Sequence, residues 1–230
     1  MRAGLVGTAA LLMLLTCPAE AQRREMSVLL GGTYSGASGP LLASVSEHIG
    51  FLGGITLRLP RSHRISLEAD FLIVHHRLTG TRFPSDLPVE FAGPESDYAK
   101  VTFVEIPLMF RLQEPYRSFS PVRPFLQLGG SIAVRVTCDR EIRVSASEQR
   151  SIECSGRPVD SEPFAPSVYQ NMDVAVHGGV GVEIGRLAVF LRGKRSLRNL
   201  VETGAFPSSP LDGAKMWALA AGVDYLVRVF

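Results

Sequence analysis

Three residue types able to act as nucleophile, base and orienting carboxylate occur in this chain as Ser131, His177 and Glu183, with His75 and His76 as a second histidine pair. A serine hydroxyl becomes a nucleophile when an imidazole takes its proton and a carboxylate holds that imidazole in place. His177 and Glu183 lie in one segment, but no motif fixes a nucleophile beside them. His75 and His76 are neighbours, and in an extended chain neighbouring side chains point to opposite faces, a poor arrangement for one metal ion. The run Gly178-Gly179-Val180-Gly181 lacks the Lys-Ser/Thr and following helix of a phosphate-binding loop, and reads instead as relief of crowding between strands. No catalytic, metal or cofactor site is expected, and the protein is read as not an enzyme.

A wider set of ionisable residues recurs at every second position opposite apolar rows. These are Arg58, Glu68, Asp70, Glu105, Arg111, Arg135, Asp173, Glu183, Arg192, Lys194, Asp224 and Arg228. A period of two marks strands, because successive Cβ atoms point to opposite faces. Seven segments show it: Ser27 to Ser35, Gly50 to Leu59, Arg64 to His76, Lys100 to Leu112, Pro124 to Val136, Asp173 to Ile184 and Leu187 to Ser196. An eighth runs from Lys215 to Phe230, with Trp217, Leu219, Ala221, Val223, Tyr225, Val227 and Val229 on one face and Gly222, Asp224 and Arg228 on the other.

Length separates these strands from those of a soluble sandwich. Globular strands mostly run about 5–6 residues, whereas a tilted strand crossing a bilayer needs about 9–11. Aromatic rings near both ends of the last apolar row suit interfacial girdles, and the chain stops on Phe230. The connections alternate. Pro60 to His63 and Gly185-Arg186 are short, Gln113 to Arg123 is intermediate, and 37–48, 78–98, 138–171 and 198–213 are long. Ile184 and Leu187 flank Gly185-Arg186, as in a two-residue hairpin with a primed turn. Long loops at one end and short turns at the other describe an all-β, eight-stranded antiparallel up-and-down transmembrane barrel with both termini at the turn end. The charged faces then point into a lumen just wide enough for side chains to fill. There, opposite charges must neutralise one another, because an unpaired buried charge is costly.

Met1-Arg2, an apolar run from Ala3 to Leu15 and Ala19-Glu20-Ala21 form a signal peptide over residues 1–21, leaving 22–230 as one barrel domain. Cys17 gives a weak lipoprotein-like alternative. No stretch reaches the about 18 apolar residues of a membrane helix, and a net charge of +2 gives no electrostatic argument for nucleic acid. Cys138 and Cys154 are expected to pair in an oxidising compartment, closing a loop of about 15 residues worth about 3 kcal/mol; a free or metal-bound pair is the alternative.

At Phe103-Val104-Glu105-Ile106-Pro107-Leu108 the chain resembles the PorT-type outer-membrane β-barrel family of the Bacteroidetes. The likeness continues through Pro124-Phe125-Leu126-Gln127-Leu128-Gly129-Gly130, the glycine-rich Gly178 to Glu183 and the basic strand Leu191 to Leu200. In many outer-membrane proteins the terminal aromatic faces lipid, whereas here the apolar row ends on Val229, leaving the terminal register open by one residue. The resemblance implies a fold and a location in a Gram-negative outer membrane after Sec export, with no established activity. Expected partners are outer-membrane lipid, the barrel assembly machinery and an extracellular or periplasmic protein. A structural or loop-presenting barrel is the leading expectation. A small channel or ligand-binding barrel is the alternative, followed by a lipid-modifying enzyme and a soluble lipocalin-like barrel.

Overall fold

The computed structural model describes residues 25–39, 42–82, 96–114, 121–145, 148–153, 170–200 and 213–228. They form ten strands: β1 (Glu25–Ser38), β2 (Leu42–Ser46), β3 (His48–Pro60), β4 (Ile65–Arg82), β5 (Ser96–Gln113), β6 (Val122–Ser145), β7 (Glu148–Glu153), β8 (Met172–Ile184), β9 (Leu187–Ser196) and β10 (Lys215–Arg228). Eight of them close into an antiparallel barrel in the ring order β1, β3, β4, β5, β6, β8, β9, β10, with β10 returning to β1. The remaining two are extensions: β2 pairs only with the upper part of β4, and β7 only with the upper part of β6.

Alternation of apolar and polar residues sets which face is which. Leu126, Leu128, Ile132 and Val134 on β6 point outward, and Leu128 is 70% exposed. Between them Phe125, Gln127, Ser131 and Ala133 point inward and are buried. The same phase holds around the ring, so an uninterrupted apolar belt faces out. Tyr34 packs edge-on against Trp217 at the loop end of this belt, with ring centroids 5.9 Å apart. On β10 the outward row Leu219, Ala221, Val223, Tyr225 and Val227 is as the alternation requires. Val229 and Phe230 lie outside the described residues, as do residues 1–21.

The turn end is tight. Gly185 has a φ of 62°, which a two-residue primed turn requires at its first position and which costs glycine nothing sterically. Ile184 and Leu187 pair across it. At the other hairpin, Ser62 Oγ accepts from the backbone N–H groups of Arg64 and Ile65.

The loop end departs from expectation. The stretches 37–48, 78–98 and 138–171 were expected to be loop, yet β4 continues to Arg82, β5 begins at Ser96, and β6 runs to Ser145 before β7 folds back on it. Beyond Val134, β6 leaves β8 and pairs only with β5 and β7. The barrel wall therefore rises on one side into a sheet of β2, β4, β5, β6 and β7.

Pro107 sits inside a paired strand, where it has no N–H to donate. The β4–β5 ladder is interrupted there, running from Ala69 opposite Leu108 straight to Leu72 opposite Glu105.

Candidate functional site: the charged lumen

The inward residues form two polar clusters and two apolar ones. Near the turn-end termini of β3, β4, β5 and β8, Arg58, Glu68, Arg111 and Glu183 meet. Arg58 Nε donates to Glu68 Oε1 at 2.7 Å, and Arg58 Nη1 reaches Glu183 Oε2 at 3.2 Å. Arg111 donates to the same two carboxylates, at 3.1 Å to Glu68 Oε1 and 2.6 Å to Glu183 Oε2. Its guanidinium also lies 3.5 Å from the centre of the Phe125 ring. Arg123 caps the other Glu183 oxygen, and Gln127 donates to Glu68. Glu25 at 3.2 Å and Asp224 at 3.6 Å complete the surroundings of Arg58. Arg192 joins this cluster by donating to Asp70 Oδ2 at 2.6 Å and to Gln127 Oε1 at 3.3 Å.

Such dense pairing is what makes burial of these groups tolerable. An isolated charge taken from water costs several kcal/mol even after relaxation, and only good geometry with further hydrogen bonds offsets about that much. Arg111, Glu68 and Asp70 are at most 1% exposed, and each has an opposite charge in contact.

One inward position further along β9, Lys194 opens the second cluster. Its Nζ lies 3.0 Å from Glu105 Oε2 and 3.3 Å from Asp173 Oδ2, and Ser196 Oγ donates to Asp173 at 2.8 Å. Ser131 Oγ donates to Glu105 Oε1 at 2.5 Å. His177 Nε2 lies 2.8 Å from Ser131 Oγ and 3.1 Å from Glu105 Oε1. Serine, histidine and carboxylate are thus together, but Glu105 supplies the carboxylate. Glu183 lies six residues away from His177 on β8, about 20 Å along the strand, in the turn-end cluster.

The geometry of this trio differs from that of a nucleophilic triad. A triad needs the carboxylate on one imidazole nitrogen and the serine on the other. Here one nitrogen of His177 faces both, Ser131 gives its proton to Glu105, and His177 Nδ1 has no protein partner. All three side chains are buried.

His75 and His76 point to opposite faces. His75 stacks outward on Phe51 at 5.4 Å, while His76 is 1% exposed inside, with both ring nitrogens lacking a protein partner. His76 lines a small cavity of about 30 Å³ with Thr33, Leu72, Glu105, His177 and Lys194. Sequence reasoning placed His76 on a face but did not place it in this site.

The lumen residues read from alternation lie on the inward face wherever their side chains are described. Arg135 is half-buried and bonds to Asn171 at the loop end. It sits opposite the buried Phe103 and so continues the inward row, just before a bulge in the β5–β6 ladder that passes over Val136. Arg228 ends β10 opposite Glu25, and its side chain lies outside what is described. Cys138 is half-buried against the loop-end apolar cluster, whose members include Leu78, Val101, Phe103 and Met216; Cys154 lies outside the described residues.

The inner wall needs glycine at several places, Gly181 among them. A Cβ on Gly181 would fall 2.2 Å from Phe125 Cζ and 2.4 Å from the Val189 carbonyl oxygen. A Cβ on Gly178, which faces outward, would meet nothing within 4 Å.

Several solved barrels are similar to this chain. Neisserial surface protein A is 14% identical, with 87% of this chain and 96% of that one covered, at a TM-score of 0.41. OprG from Pseudomonas aeruginosa is 10% identical over 90% and 98%, at 0.46. Ail, the attachment invasion locus protein of Yersinia pestis, is 11% identical over 90% and 99%, at 0.39. No curated protein matches the chain. The model of the outer membrane protein β-barrel domain matches residues 20–202, and the chain belongs to that family.

Proposed function

We propose that this protein is a non-enzymatic barrel of the Gram-negative outer membrane, structural in its span and presenting its loop-end sheet to a protein partner outside the cell. The supporting observation is the division of labour along the strands. Where the belt faces lipid, the lumen is filled by compensated charges and apolar side chains. Past the belt, β4, β5 and β6 continue as a sheet on one side only. Sec export with removal of residues 1–21, insertion by the barrel assembly machinery and PorT-type kinship belong to the same reading. Pairing of Cys138 with Cys154 also belongs to it. The β6–β7 register ends at Asp139 opposite Glu153, one step short of those two cysteines.

A small channel or ligand-binding barrel is the second reading, although the cavity at His76, about 30 Å³, has room for water rather than a ligand. Fractionation of expressing cells tests the leading one. The protein is expected in the outer-membrane fraction with heat-modifiable migration, and external protease on intact cells should cut within 83–95 or 154–169. Recovery from the periplasm, or protection of both segments in intact cells, would contradict it.

A further inference from the structure

We infer that the outer face of the β4–β5 pair at the loop end binds the phosphorylated headgroup of an outer-leaflet lipid. The inference rests on the proposed membrane orientation. Along this column the outward residues change within a few positions. Ile73 opposite Val104 belongs to the apolar belt, His75 opposite Thr102 follows, and Arg77 opposite Lys100 comes next. His75 has its ring stacked on Phe51, and its Nδ1 lies 3.1 Å from Thr102 Oγ1. At about 3.3 Å per residue, Arg77 lies about 13 Å along the strand beyond Ile73, past the end of the outward apolar row, where hydrocarbon gives way to headgroups.

Two cations directly opposite each other on one face of a sheet repel. Arg77 is exposed and Lys100 half-buried, and neither makes a salt bridge among the described residues. The Lys100 ammonium instead sits 5.7 Å from the Tyr98 ring centre. Asp139, opposite Lys100 on β6, is the carboxylate nearest in register. Glu153 lies opposite Asp139 in the same row and Glu141 two positions further on β6, yet neither Arg77 nor Lys100 is salt-bridged to a described residue, so an added anion would relieve the repulsion between the two cations through charge-assisted hydrogen bonds. These side chains point to the annulus around the barrel, so the anion that reaches them at this height is the phosphate of a membrane lipid. A lipid A type of phosphoglycolipid has that chemistry.

The test uses the full mature chain refolded in zwitterionic detergent and titrated with bisphosphorylated lipid A, its dephosphorylated counterpart or inorganic phosphate, with bound species counted by native mass spectrometry. Bisphosphorylated lipid A should be retained and the dephosphorylated lipid should not, and inorganic phosphate should not displace it. The double variant Arg77→Gln/Lys100→Gln should bind about thirtyfold more weakly, as expected for the loss of two surface cations. Arg186→Gln at the turn end should bind as wild type. Heat-modifiable migration verifies folding, and Lys100→Gln alone is read in the same assay if the double variant does not refold. Equal retention of both lipids, undiminished binding by the variants, or displacement by inorganic phosphate would overturn the inference. Absence from the outer-membrane fraction would instead remove the orientation on which it rests.

Discussion

Glu105 and Arg111 share the inner face of β5 and touch no common partner. Glu105 meets Lys194, His177 and Ser131, whereas Arg111 meets Glu68 and Glu183. Six residues separate them, about 20 Å along a strand. The lumen charges are therefore paired locally, cluster by cluster.

A double-mutant cycle reads this directly. Glu105→Gln and Lys194→Met should each lower stability, by up to about 3–5 kcal/mol if burial is complete. Together they should show a coupling of about 0.5–3 kcal/mol. Glu105→Gln with Arg111→Met should be additive to within about 0.5 kcal/mol. Denaturant unfolding of the refolded protein measures both, and equal coupling in the two cycles would contradict separate clusters.

Charge on the outer belt should be costly wherever the belt is deep. Leu128→Arg and Val180→Arg should each destabilise by about 2–4 kcal/mol near the midplane. Ser131→Arg, inside, should act by crowding Glu105 and His177 instead. Unfolding from lipid vesicles compared with detergent separates the two, since only the outward variants should lose more in lipid. Equal, mild losses at all three positions would contradict the assigned faces.

Glycine is needed at Gly181 but not at Gly178. Gly181→Ala should cost about 1–3 kcal/mol, because the backbone carbonyl of Val189 as well as the Phe125 ring must move. Gly178→Ala enters open space and should stay within about 0.5 kcal/mol of wild type. Thermal melts in detergent check the order, and the reverse order would place Phe125 elsewhere.

Alkylation of the cysteines before and after reduction, read by mass, tests the Cys138–Cys154 pairing. Two thiols should react only after reductant. Full labelling without it would remove the disulfide.

How far the molecule can be read from its sequence depends on what each feature rests on. Inward and outward faces were legible because a period of two has only two phases, and runs such as Ile65, Leu67, Ala69, Phe71 and Ile73 fix one of them. Strand ends were not. Past His76 the outward residues become Arg77 and Thr79, past Val136 the outer row turns polar, and the contrast that marks a strand fades although the ladder continues. Partners within the lumen were not legible either, since they depend on stagger between strands. Ser66 pairs with Arg111, and only that offset brings Arg111 beside Glu68. Glu105 was not read as the neighbour of Ser131 and His177 for the same reason of stagger.

The central claim is that the eight-stranded barrel is closed across its lumen by the pairs around Arg58, Arg111, Glu68 and Glu183 and by Lys194 with Glu105. Single-channel recording of the refolded wild-type protein in planar bilayers tests it most directly. The account predicts no conductance steps above the bare bilayer at neutral pH. Reproducible steps from wild-type protein, abolished when it is unfolded, would contradict a sealed lumen and make the barrel a channel.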